Sequence, residues 1–93
     1  MAVYMVERNV RGFAPQALAS VEAAVVTKAA EMTASGREIR YLRSTLIPQD
    51  GRCLSFYESG EAGIVWLLNE QMGLPFEKIS EVYDLGPSAL LKQ

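Results

Sequence analysis

Apolar positions switch along the chain between alternation and helical spacing. Val3 to Arg8 mixes β-branched, aromatic and apolar residues, with Gly12 and Pro15 soon after. This is a short strand followed by a turn. Pro15 suits the first turn of a helix, where its missing N–H costs nothing. From Ala14 to about Ser35, Leu18, Val21, Val25, Ala29 and Met32 recur at steps of three and four, forming one apolar helix face that Gly36 closes. Glu38 to Ile47 alternates large and polar groups and meets Pro48-Gln49-Asp50-Gly51, a hairpin signal. The returning strand, Arg52 to Glu58, sets Leu54 and Phe56 against Cys53, Ser55 and Tyr57. Ser59 is placed to cap a second helix, with Glu61 favouring its positive end. Ile64, Leu67, Leu68 and Met72 supply that helix's apolar side before Gly73-Leu74-Pro75 stops it. A last strand, Lys78 to Leu85, leads to Gly86-Pro87 and a short tail.

The order strand, helix, strand, strand, helix, strand is the ferredoxin-like βαββαβ arrangement, an α+β class. Right-handed crossovers place both helices on one face of a four-stranded antiparallel sheet and leave the other bare. Ninety-three residues make one domain, residues 1–93. So short a chain buries only about 60–65% of the surface its unfolded form exposes. A bare sheet face on such a domain calls for a second copy, and a homodimer is expected.

Charge and composition narrow the function. Nine basic and eleven acidic side chains give a net charge of -2, without the excess of positive charge that nucleic acid binding draws on. The N-terminal residues show no basic leader or long apolar stretch, and no apolar run approaches the ~18 residues of a membrane span. A cytoplasmic protein with neither nucleic acid nor membrane as partner is expected. Cys53 is the only cysteine, which rules out an intrachain disulfide, and histidine is absent. The commonest metal ligand and acid–base group is therefore missing.

Several short motifs carry a resemblance over nearly the whole chain: Val6-Glu7-Arg8, Tyr41-Leu42-Arg43-Ser44 before the Pro48 turn, Tyr57-Glu58-Ser59, and Gly73-Leu74-Pro75 followed by Ile79-Ser80-Glu81-Val82. In this order they resemble a small nickel-binding family of ferredoxin-like bacterial proteins, many of unknown function. The resemblance implies a dimeric α+β barrel in which two sheets face each other, and bound nickel in at least some members. Where that family tends to place histidines, this chain carries Arg43 and about Leu68. The family cysteine falls on Ser55, with Cys53 two residues earlier. No metal-binding residue is therefore assigned and no cofactor is expected, nickel entering only through the resemblance.

With Leu54 and Phe56 facing the helices, the period of two turns Cys53, Ser55 and Tyr57 to the open face. Glu7, Tyr41, Arg43, Glu81 and Tyr83 are assigned to that face too, since Val6, Leu42, Leu46 and Val82 supply the apolar alternative. A bulge would break this assignment. An enclosed barrel so lined suits a dimeric binding protein holding a small organic ligand, or less readily a metal ion, between two sheets. Tyr41, Cys53, Ser55, Trp66 and Tyr83 are the ligand-binding candidates. The alternative is a small cofactor-independent enzyme of isomerase, cyclase or monooxygenase type. There Glu7 or Glu81 acts as base, and Arg43 or Tyr57 stabilises developing charge. A plain ion pair between Glu7 and Arg43 would use the same residues without chemistry.

Overall fold

A central strand, β1 (Ala2–Asn9), organises the architecture, pairing antiparallel with β3 (Arg52–Ser59) on one side and β4 (Lys78–Val82) on the other. The computed structural model describes residues 1–85. The tail expected from Gly86-Pro87 lies outside them. β2 (Ile39–Ile47) pairs with β3 across the hairpin, giving the sheet order β2-β3-β1-β4. The two helices, α1 (Pro15–Ala34) and α2 (Ala62–Gln71), make the crossovers. The βαββαβ order and the four-stranded antiparallel sheet therefore stand as the sequence predicts. β4 ends at Val82, three residues short of the expected Leu85.

Both helices contribute to one core. Val25, Ala29 and Met32 of α1 and Val65 and Leu68 of α2 meet Tyr4, Val6, Ile39 and Tyr57 of the sheet. Val6, Tyr57, Val65 and Leu68 are wholly buried, each worth about 1.5–3 kcal/mol of transfer free energy for an apolar side chain of this size. Both helices stop where glycine enters the left-handed region. Gly36 (φ +95°) lets Arg37 N–H return to Met32 O at 2.9 Å, and Gly73 (φ +65°) lets Leu74 N–H return to Asn69 O at 3.1 Å. At the start of α2 the expected cap is absent. Glu61 is the N-cap residue and makes no side-chain cap bond, because Ser59 still belongs to β3 and donates its hydroxyl to Glu38 O at 2.7 Å.

Register overturns the assignment of faces. Cys53, Ser55, Tyr57 and Ser59 are buried on the helix side of β3, whereas Leu54, Phe56 and Glu58 are half-buried on the open side. On β1, Tyr4, Val6 and Arg8 point to the helices; Glu7 stands opposite Leu54, on the open face as expected. β2 contains the irregularity that splits its candidates. Tyr41 pairs with Tyr57 while Arg43 pairs with Phe56, so a bulge at Leu42 puts Tyr41 on the helix side and leaves Arg43 on the open side. On β4 Glu81 stands opposite Tyr4, on the helix side and exposed at the sheet edge, and Tyr83 lies beyond the strand. Glu7 and Glu81 are thus on opposite faces.

A cleft between the long helix and the sheet

α1 packs tightly only along its C-terminal half. Its N-terminal half, through Pro15, Leu18, Val21 and Glu22, borders a cleft of about 270 Å³ instead of a core. A cavity of roughly 150 Å³ already holds benzene, so this one takes a larger molecule. Across from the helix the sheet presents Arg8, Tyr41, Ser44, Cys53, Ser55 and Tyr57. On the helix side of β2 and β3 the cleft is lined by Tyr41, Ser44, Cys53, Ser55 and Tyr57, together with the apolar Leu46, just where α1 stands off. Leu54 and Phe56 sit on the opposite face.

Two hydrogen-bonded groups of side chains form the polar floor. In the first, Arg8 Nη2 donates to the Tyr57 hydroxyl at 3.1 Å and Nη1 donates to Pro75 O at 3.1 Å. The Tyr57 hydroxyl donates to Asn69 Oδ1 at 3.4 Å, and Asn69 Nδ2 donates to Val65 O at 2.8 Å. Arg8 is 5% exposed, and among the described residues it makes no ion pair. In the second group, Tyr41 donates to the acceptor-only Glu22 carboxylate at 2.5 Å. Since a hydroxyl has one proton, Ser44 must then donate to the Tyr41 oxygen (2.7 Å) and Ser55 to Ser44 (2.7 Å). The Cys53 thiol, 3.9 Å from Ser55 Oγ, completes a chain of one polarity ending at Glu22. Tyr41 also packs edge-on against Tyr57, their centroids 5.6 Å apart.

The floor holds its phenols neutral. Burial pushes the Tyr57 hydroxyl above the ordinary tyrosine range, with Arg8 opposing; burial and then the Glu22 hydrogen bond push Tyr41 up as well. A pKa raised in the folded state contributes stability that is fully present below the unfolded value, about 10, and lost as pH rises through the folded value. The urea midpoint is therefore expected to fall above about pH 10, and the double variant Tyr41→Phe, Tyr57→Phe to flatten that fall. An equally steep fall in the double variant would assign it elsewhere.

The remaining candidates lie outside the cleft. Glu7 does not pair with Arg43: its partner is Arg52, at 3.7 Å, which also binds Glu77. Arg43 stacks over the Phe56 ring at 4.3 Å. Tyr83 donates to Glu81 Oε2 at 3.0 Å on the exposed edge. Trp66 is 47% exposed on α2, on the helix surface away from Val65, Leu68 and Asn69. Of the nine candidates, Tyr41, Cys53, Ser55 and Tyr57 come together, and they do so inside one chain, between its helix and its sheet. Arg8, Ser44, Glu22 and Asn69 were missed. Arg8 had a signal, because Tyr4, Val6, Arg8 and Val10 share one parity.

Among the described residues no three of Cys, Asp and Glu gather at a point where a metal ion could bind, and no helix is long and apolar enough to cross a membrane. The positions matched above to the family's histidines, Arg43 and about Leu68, fall on opposite sides of the sheet: one on the open face, the other in the core.

Residues 4–82 match the family model described as nickel responsive protein SCO4226-like. The chain belongs to this SCO4226-like family. The crystal structure of SCO4226 from Streptomyces coelicolor A3(2) superposes with a TM-score of 0.74 at 19% identity, covering 91% of this chain and 100% of that one. At that identity the likeness shows the shared fold. No curated protein matches. Membership in the SCO4226-like family bears out the resemblance carried by the short motifs, and the shared fold bears out the βαββαβ arrangement of a single chain.

Proposed function

We propose that this SCO4226-like chain is a small-ligand-binding protein whose site is the cleft between α1 and the helix face of the sheet. The observation that supports it is an opening of about 270 Å³ with apolar walls and a floor where Arg8, Tyr57, Ser55 and Ser44 converge. Concave, mostly apolar sites with a few fixed polar groups are the usual form of a small-molecule site. The family's nickel response brings no ligand set with it here. The chain has no histidine, and late divalent metals favour imidazole and thiolate donors, so the residues present do not fit a nickel site within one chain. A second copy covering the open face would leave this cleft accessible, since the two lie on opposite sides of the sheet.

The test uses a neutral aromatic probe, 1-naphthaleneacetamide, followed by its fluorescence. Saturable binding to the wild-type protein is expected, and Ala19→Trp, which puts an indole into the cleft from the α1 side, should weaken it at least tenfold. Unchanged affinity in Ala19→Trp would place the probe elsewhere.

A further inference from the structure

We propose that the cleft selects a small apolar monocarboxylate, with its carboxylate on Arg8. This rests on the cleft being a ligand site. Arg8 is nineteen-twentieths buried, at 5% exposure, yet its two protein acceptors, the Pro75 carbonyl and the Tyr57 hydroxyl, are both neutral. A guanidinium offers five N–H donors and is always charged, so three donors and the whole charge are unmatched among the described residues. A buried cation without an anion is costly, and among the described residues no buried side-chain nitrogen or oxygen is sealed off without a partner. Arg8 Nε, which has no acceptor, therefore reaches accessible space, and the space beside Arg8 is the cleft that it lines.

The surroundings define the anion's class. One cation matches one negative charge, and the planar guanidinium matches a planar carboxylate. The walls above it, Val10, Leu18, Val25 and Leu74, accept an aryl or alkyl body but no second charge. Glu22, which also lines the cleft and already accepts from Tyr41, repels a second anionic group at the far end. A phosphate monoester or a dicarboxylate would carry charge that nothing here balances.

1-Naphthaleneacetate and its neutral isostere, 1-naphthaleneacetamide, separate this proposal from the one beneath it. Wild-type protein is expected to bind the acid about ten- to a hundredfold more tightly than the amide, as charge-assisted hydrogen bonds discriminate by that much. Arg8→Gln should remove the preference, so that acid and amide bind alike, and Arg8→Lys should restore part of it. Equal affinity of the wild type for acid and amide overturns the proposal and leaves the ligand site standing. If neither probe binds, the ligand site itself fails and the proposal with it. If Arg8→Gln does not fold, the wild-type ratio and Arg8→Lys decide.

Discussion

Tyr57→Ala is expected to lower the free energy of unfolding by about 3–5 kcal/mol, the range for removing a fully buried aromatic side chain. Tyr57 is the largest wholly buried side chain. Its ring packs against Tyr41 and its hydroxyl joins Arg8 to Asn69. A loss of this size approaches the whole margin of a small domain, roughly 5–15 kcal/mol. Tyr57→Phe separates the two contributions. It keeps the packing, takes away an acceptor from Arg8 and a donor from Asn69, and should cost about 1–3 kcal/mol. Urea denaturation followed by circular dichroism measures both. A Tyr57→Ala variant within 1 kcal/mol of wild type would mean that the β3 helix face is not the floor of the core.

The second large effect is at the hairpin. Gly51 has φ +66°, and a Cβ built there would meet Arg11 Cβ at 2.9 Å and Arg11 Cα at 3.0 Å. The turn lies against the β1–α1 connection, where Val10 N–H donates to Gly51 O at 2.8 Å and Arg11 Nη2 donates to Asp50 O at 3.1 Å. Relief would require one of these backbones to move. Gly51→Ala should therefore cost about 2–4 kcal/mol, combining the left-handed penalty with overpacking. Gly12→Ala is the matched control: Gly12 has φ +89° but nothing within 4 Å of its added Cβ, so only the conformational part, about 1–2 kcal/mol, applies. Equal losses at the two positions would show that the close approach carries no energy.

The fold was legible because local signals agreed with one another. Leu18, Val21, Val25, Ala29 and Met32 mark one side of α1, Asp50-Gly51 turns the hairpin, and Gly36 and Gly73 end the helices. The sheet's faces were harder to read for a physical reason. Ranking side chains by hydrophobicity turns Leu54 and Phe56 toward the core, yet α1 stands off from that part of the sheet. The helix face can therefore carry Cys53 and Ser55 beside a cleft, while the larger apolar groups lie on the open face. The bulge at Leu42 leaves no mark in the residue pattern, so Tyr41 and Arg43 read as neighbours on one face although they occupy two. Arg8 shares the parity of Tyr4 and Val6. Its charge argued for the surface, and only the packing of Tyr57 and Pro75 around it shows that it is buried.

The proposed function depends on which side of the sheet receives the ligand. The direct measurement is a map of backbone amide shifts as 1-naphthaleneacetamide is titrated into the isotope-labelled protein. Shifts concentrated at Leu18, Val21, Val25, Ser44, Ser55 and Tyr57 are expected, with Arg43, Thr45, Phe56 and Val82 unmoved. Shifts centred on Arg43, Phe56 and Val82, with the cleft residues unmoved, would contradict it and return the site to the open face.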